Sequence, residues 1–280
     1  NFLLYQFRQY PLVHCARLKK DLLKLVPNYD THPSLENLIE SENIGIESLH
    51  PGGLETTKEL ADLCKITENS RVLDVASGTG EGTCFLVEEF KCHAVGIDIS
   101  QVMITRAKEK AREKNLNIEF KIGDAHHLPF EDNEFDVVIS ECAVYALDKE
   151  MAIAEMIRVA TPGGFIGIHD ICWKEDTPND LKVRLKEIEN ESPETLEGWK
   201  KLFSESGLEN CSATEKSHLM PAWMKTNKQS LGFTGQLRIG MKVFQKWGIK
   251  GVKTIMETEK VFKSPFTGYG IIVGRKPAKN

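Results

Sequence analysis

The residues best suited to chemistry are two glycines and an acid that follow two apolar runs. Gly78 and Gly80 lie in the segment RVLDVASGTGEG at 71–82, and Asp98 lies at the end of the next apolar run, HAVGIDIS, eighteen residues after Gly80. Glycine lets the backbone take unusual angles and lets a ligand touch the main chain. An acid after a second strand can bind both hydroxyls of a ribose. The two motifs together predict a nucleoside site.

Two further residues bear on which nucleoside ligand is bound. A dinucleotide fingerprint has Gly or Ala at its last position, where this chain has Thr83. Asp74, four residues before Gly78, would repel a diphosphate at close range. A nicotinamide-dependent oxidoreductase is therefore the weaker alternative, and the pattern favours a cationic ligand.

With these motifs, the chain resembles the class I S-adenosylmethionine-dependent methyltransferases from about residue 49 to residue 173. The likeness is to their small-molecule branch, which includes quinone-biosynthesis, sarcosine/dimethylglycine and tocopherol methyltransferases. The first family motif matches VLDVASGTG, with Ala76 where many members have glycine, and the ribose-binding acid matches Asp98 in GIDIS. The segments FDVVIS and RVATPGGFIGI match the family's later strand and helix-turn-strand.

The resemblance also implies a cofactor, its product and a set of contacts. The cofactor would be S-adenosylmethionine and the product S-adenosylhomocysteine. In the adenine motif GDAHHLPF, Asp124 would face the adenine amino group, while Ala125 and His126 would flank the ring. The full set of candidate cofactor-binding residues is Asp74, Ala76, Ser77, Gly78, Gly80, Asp98, Ile99, Met103, Asp124, Ala125, His126, Glu141 and Cys142.

Three residues are candidates for catalysis: Glu141, Tyr145 and His169. They follow the fourth strand or end the fifth, and ligands of open α/β sheets bind outside the carboxyl ends of the strands. The sulfonium methyl group is already activated, so transfer needs mainly placement, and a base only where the acceptor carries its proton. Packing is the alternative for Tyr145, and a hydrogen-bonded core position is the alternative for His169.

The alternation of predicted strands and helices indicates an α/β fold with a doubly wound parallel sheet. The resemblance implies the rest of the architecture: a Rossmann-like, seven-stranded sheet that is mostly parallel with its last strand antiparallel. Residues 1–48 are expected to form a helical lid, and 219–263 a helical cap inserted before the last strand, with an oligomer contact or a satellite core as the alternatives. Residues 49–218 and 264–280 are expected to form the Rossmann-like methyltransferase domain that the resemblance implies. The predicted strands are 71–76, 93–98, 117–122, 135–140, 164–171, 210–218 and 267–276, and the predicted helices are 81–90, 101–114, 150–160 and 195–208.

Composition limits the function classes. The net charge is −5 and no basic stripe occurs, which argues against a nucleic-acid substrate. No apolar run is long enough to span a bilayer. The seven scattered cysteines favour free thiols in the cytoplasm and contain no CxxC zinc pattern, so no metal site is predicted. The partner expected is a small-molecule methyl acceptor, and a homodimer is left open.

Two alternatives to ordinary small-molecule methylation remain at this stage. Arsenite methyltransferases resemble the same domain and use a thiolate after the fourth strand, where this chain has Cys142, and soft thiolates suit a soft acceptor. The other cysteines do not align clearly with that family, and buried packing is the default for a free cysteine. A protein that binds S-adenosylmethionine without turnover is the second alternative.

Overall fold

The structure is a computed structural model that describes residues 50–278, apart from the side chains of residues 227–231. The predicted lid at 1–48 lies outside the described residues. Helices and strands alternate along most of the chain. The helices are α1 (Leu54–Leu63), α2 (Glu81–Phe90), α3 (Gln101–Glu113), α4 (Lys149–Val159), α5 (Asn179–Glu189), α6 (Leu196–Glu205) and α7 (Met220–Phe262). The strands are β1 (Arg71–Val75), β2 (His93–Asp98), β3 (Glu119–Ile122), β4 (Phe135–Glu141), β5 (Ala160–Trp173), β6 (Glu209–Glu215) and β7 (Thr267–Arg275).

The seven strands form one sheet in the order β3-β2-β1-β4-β5-β7-β6. The pairs from β3 to β5 are parallel, and β7 runs antiparallel to both β5 and β6. This confirms the predicted fold class. Strand order reverses between β1 and β4, so a crevice opens at their carboxyl ends, where such folds bind ligands.

Both faces of the central strands are covered by helices, which explains the continuous apolar runs in the sequence. Successive residues of a strand point to opposite faces. Leu73 therefore belongs to the apolar cluster on one side of the sheet, together with Trp199 and Phe203, and Val72 belongs to the cluster on the other side, together with Leu60 of α1. These two apolar layers fix the sheet on which the site is built.

The structure differs from the predicted elements mainly in β5 and α5. Strand β5 begins at Ala160 rather than at residue 164, because Ala160 already pairs with Phe135 before a register shift. Helix α5 was not predicted, since only Leu185 and Ile188 of it are buried and its apolar pattern is weak. Helix α7 occupies the predicted insertion.

No helix among residues 50–278 is long and apolar enough to cross a membrane.

Candidate active site

The glycine turn after β1 has the predicted backbone, and its two glycines are needed for different reasons. Gly78 has φ 52° and Gly80 has φ 74°, both in the left-handed region. A Cβ added at Gly78 would meet nothing within 4 Å, which leaves the main chain open to a ligand. A Cβ added at Gly80 would lie 2.8 Å from Phe120 Cζ and 2.9 Å from Ala107 Cβ, so this glycine permits close packing of the turn.

Asp98 lies beside this turn at the end of β2. Its carboxylate accepts hydrogen bonds from the backbone N–H groups of Gly78, at 2.9 Å, and Ser100, at 2.8 Å. Burial raises the pKa of Asp98, and these two hydrogen bonds act in the opposite direction. The acid predicted to bind the ribose is thus hydrogen-bonded to the glycine turn.

Asp74 is buried in β1, with 2% of its surface exposed. It accepts a hydrogen bond from the Thr83 hydroxyl at 2.5 Å, which explains the Thr that does not fit a dinucleotide fingerprint. Burial, followed by the nearby charge of Glu141, raises the pKa of Asp74 well above its usual range. One cavity is lined by both acids together with Ala76, Ser77 and Gly78. A pocket with two buried acids favours a cationic ligand.

The predicted adenine segment follows β3, which pairs with β2 so that Asp98 lies opposite Ile122. Asp124 Oδ1 accepts from the backbone N–H of His126 at 2.9 Å and contacts its ring Nδ1 at 2.7 Å. Desolvation raises the pKa of Asp124, but these bonds outweigh it, and the net shift is downward. The His126 ring also accepts from the Asp148 N–H at 3.1 Å, which makes Nδ1 the donor to Asp124.

The remaining candidates for adenine contacts differ in exposure. Ile99 directly follows Asp98 and is 67% exposed, whereas Met103 is buried in the first turn of α3 and Ala125 is partly buried against the core. Their contacts with a cofactor stay predictions.

Glu141 is the last residue of β4, and it pairs with His169 in the interior of β5. His169 Nε2 is 2.6 Å from Glu141 Oε1, and His50 Nε2 is 3.8 Å from Glu141 Oε2. We call His50, Glu141 and His169 the His–Glu–His cluster. Burial raises the pKa of Glu141, but its two histidine neighbours outweigh burial and lower the pKa to about 2. Desolvation lowers the pKa of His50 to about 4, so near neutral pH the cluster has an ionised carboxylate beside a neutral His50 imidazole.

Two members of this site, the side chains of His50 and Tyr269, are not predicted from the sequence. The Tyr269 hydroxyl hydrogen-bonds His169 Nδ1, and His50 stacks on His169 with ring centroids 4.5 Å apart. A tyrosine within the apolar strand TGYGIIVGR was the available signal, because a buried hydroxyl needs a partner.

Tyr145 and Cys142 flank the cluster. The Tyr145 hydroxyl contacts Glu191 Oε1 at 3.4 Å, and its backbone N–H donates to Asp170 at 3.0 Å. Cys142 has φ 51°, an uncommon angle for a residue with a Cβ, and its thiol lies 3.8 Å from the Tyr269 hydroxyl. Burial raises the pKa of the Cys142 thiol well above its usual range, which disfavours a thiolate there.

Comparison with known proteins agrees with this geometry. A family model described as a methyltransferase domain matches residues 66–231. A Haemophilus influenzae protein described as uncharacterised is 30% identical over 208 residues, covering 71% of this chain and 83% of that protein. Phosphoethanolamine N-methyltransferase 1 of Arabidopsis thaliana is 36% identical over 129 residues, which cover 46% of this chain and 26% of that enzyme.

One solved structure shows the same fold with a cofactor bound. Haemonchus contortus phosphoethanolamine N-methyltransferase 2, in complex with S-adenosyl-L-methionine, superposes with a TM-score of 0.68 at 18% identity, over 92% of this chain and 59% of that chain. The chain belongs to the methyltransferase domain family, and its fold is the one seen in a class I methyltransferase with S-adenosyl-L-methionine bound.

Proposed function

We propose that the chain transfers the methyl group of S-adenosylmethionine by in-line displacement to a small acceptor that lies against the His–Glu–His cluster. The observation that carries this proposal is the shared cavity. His50 and Glu141 line the same cavity as Asp74 and Gly78 of the cofactor site. An acceptor held there would meet the cofactor directly, and correct placement alone can lower the barrier by about 7–11 kcal/mol.

Glu141 lines the cavity and is the group we assign to contact the acceptor, whereas His169 is fully buried and acts through its hydrogen bond to the Glu141 carboxylate. The carboxylate is buried and ionised, and such a charge next to a cavity stabilises positive charge on an approaching amine or on the reacting centre. Tyr145 stays a predicted catalytic residue with weaker support, because its hydroxyl contacts Glu191.

The acceptor is a small metabolite with a nucleophilic N, O, S or C atom. The chain covers only 26% of the Arabidopsis phosphoethanolamine enzyme, so its acceptor is not carried over from that relative. An arsenite acceptor has less support. Within residues 50–278, the one group with metal-ligand spacing contains no cysteine, and burial raises the pKa of Cys142 and Cys172.

We further propose that α7 caps the acceptor site. Met220 and Trp223 near its start, and Phe262 at its end, pack against Ile171 and Tyr269 next to the cluster. A cytoplasmic location and the lack of a nucleic-acid substrate remain our proposals. Six free cysteines among the described residues support the cytoplasmic location. The net charge of −5 argues against binding of a nucleic acid.

The test is turnover with S-adenosylmethionine that carries an isotopically labelled methyl group, against a panel of amines, phenols and thiols, read by mass spectrometry. At least one class should gain the label. His169→Asn should lower turnover by about 10²–10⁴-fold, the range for loss of a proton-handling group, while His93→Asn at the opposite end of the sheet should not. Binding of the cofactor without S-adenosylhomocysteine formation across the panel would support the non-catalytic alternative.

A further inference from the structure

The His–Glu–His cluster has the composition and spacing of a metal-binding site. Its members come from three separate parts of the fold: the segment before α1, the end of β4 and the interior of β5. One ligand atom from each lies within 4.8 Å of the other two. His50 is 9% exposed and His169 is fully buried. Two imidazoles and a carboxylate form a ligand set used by zinc and by other divalent transition metals.

Both histidines are also held at their outer nitrogens. Thr56 Oγ1 lies 3.4 Å from His50 Nδ1, and the Tyr269 hydroxyl hydrogen-bonds His169 Nδ1. Histidines that ligate metals almost always have the other ring nitrogen hydrogen-bonded, which fixes the ring orientation. In this site both Nε2 atoms are thereby directed toward Glu141.

The Thr56 hydroxyl fixes the proton position on His50. Its single proton is directed at backbone carbonyl oxygens, Pro51 O at 2.9 Å or Gly53 O at 2.8 Å. The hydroxyl therefore accepts from His50 Nδ1, and a neutral ring presents the Nε2 lone pair to Glu141 Oε2 at 3.8 Å. A lone pair and a carboxylate that face each other in a buried site repel, and a cation between them converts that repulsion into attraction.

We propose that His50, Glu141 and His169 bind one divalent transition-metal ion of the zinc class. Zinc lies about 2.0–2.2 Å from nitrogen and oxygen ligands in a tetrahedral arrangement. The ligand atoms of Glu141 and His169, 2.6 Å apart, would separate and those of Glu141 and His50, 3.8 Å apart, would draw closer around an ion. Three protein ligands leave a fourth position open. Glu141 and His50 line the cofactor cavity, so that position faces the acceptor.

Metal binding at His169 requires a proton shift that the neighbours can accommodate. The proton of Nε2 would move to Nδ1 and be donated to the Tyr269 oxygen. The Tyr269 hydroxyl, which accepts from the Cys142 thiol at 3.8 Å, would then turn its own proton toward Cys142 Sγ while the thiol proton turns away. The proposal of a metal site does not depend on the proposed function. A role for the ion in binding the acceptor does depend on the proposed function.

The experiment uses the full chain after treatment with a chelator. Zn²⁺ is titrated by calorimetry, and Co²⁺ by visible absorption, because Co²⁺ reports its own ligand set. We expect one ion per chain and a Co²⁺ spectrum with visible bands but no thiolate charge-transfer band in the near ultraviolet. A thiolate band would show that cysteines bind the ion and would overturn the proposal, whether or not any variant folds.

Variants locate the ion. His50→Ala removes a ligand and should weaken Zn²⁺ binding by more than about 100-fold. Thr56→Val removes only the hydroxyl that holds the His50 ring, so the expected loss is smaller, about 10–100-fold. Thr56→Ser should restore binding, and His127→Ala, at an exposed histidine outside the cluster, should leave binding unchanged. Absence of stoichiometric binding, or equal affinity in His50→Ala and His127→Ala, would overturn the site. Methyl transfer is measured separately, so failure of the proposed function is distinguishable from failure of the ion site.

Discussion

Asp98 accepts hydrogen bonds from two backbone amides, one at each carboxylate oxygen, and these bonds fix the position of its carboxylate. The contact with Gly78 couples the predicted ribose-binding acid to the glycine turn. A change at Asp98 therefore acts on two parts of the cofactor site at once.

We expect Asp98→Asn to weaken S-adenosylmethionine binding by about 10–100-fold. The amide nitrogen cannot accept a hydrogen bond, and a hydrogen bond to a charged group contributes about 1.5–3 kcal/mol. Calorimetric titration measures the change, with Asp62→Asn on the exposed face of α1 as the matched control. Unchanged affinity in Asp98→Asn would remove the ribose assignment.

Sequence was informative for residues whose role is set locally. Gly78, Gly80 and Asp98 occupy their predicted places because turn geometry and strand ends depend on nearby residues. The contact of His169 with Tyr269 joins residues one hundred positions apart through the antiparallel pairing of β5 and β7, and no local pattern encodes such pairing.

At the scale of elements, α2 approaches the end of β4 closely because Gly82 has no side chain. A Cβ added at Gly82 would lie closer to Glu141 Oε2 than real contacts permit. A glycine in a helix ordinarily destabilises it by about 0.5–1 kcal/mol relative to alanine. Here close packing outweighs helix propensity.

Gly82→Ala should therefore destabilise the protein, by about 1–3 kcal/mol for overpacking of a close contact, and displace Glu141 from His169. Gly240→Ala is the control, because a Cβ there meets nothing within 4 Å in α7 and should stabilise by about 0.5–1 kcal/mol. Denaturant unfolding of both variants measures the sign of each change in the free energy of unfolding. Stabilisation by both changes would contradict the packing argument.

Helix α4 is joined to the adenine segment by Glu155 and Arg158. Glu155 accepts from the Leu128 N–H at 2.8 Å, and Arg158 donates to the Leu128 and Phe130 carbonyl oxygens, each at 2.9 Å. The hydrogen bond from Arg158 is the main cause of the lowered pKa of Glu155.

A group whose pKa is lower in the folded chain than in the unfolded chain stabilises the fold at pH values above its unfolded pKa. This stabilisation is lost as the pH falls from the unfolded pKa through the folded pKa. Glu155→Gln should therefore be less stable than the wild type at pH 7, and the difference should shrink once the pH falls below about 4.5, the ordinary pKa of this group. Urea unfolding at both pH values tests this, with Glu150→Gln on the exposed face of α4 as the control. A difference that does not depend on pH would assign the effect to packing.

The same contrast between local and distant information holds for elements. Strands β2 and β7 were predicted to within a residue, because their apolar runs are buried almost throughout. The start of β5 was not, since Thr161, Pro162 and two glycines have the composition of a turn while the chain continues in the sheet.

At the scale of the whole molecule, the described chain consists of a sheet with its helices and the long insertion α7. The insertion is interrupted at Gly232, with φ 58° and ψ 179°, and at Gly248, with φ 65° and ψ −155°. Both conformations are essentially restricted to glycine. Between the two breaks, large apolar side chains are exposed at Phe233, Leu237, Met241 and Phe244. Closure of α7 over the acceptor site, or contact with a second copy of the chain, would bury this apolar face.

Because the insertion packs on the sheet through its two ends, strain in its middle should remain local. Gly248→Ala should cost about 1–3 kcal/mol, since a Cβ there meets open space but the backbone angles are unfavourable. We expect faster amide hydrogen exchange along α7, unchanged exchange in β1 and β4, and unchanged affinity for S-adenosylmethionine. Gly240→Ala, in the same helix with ordinary helical angles, should slow exchange instead. Weaker cofactor binding in Gly248→Ala would show that α7 and the sheet respond as one unit, and the insertion would then be part of the cofactor site as well as the cap proposed over the acceptor.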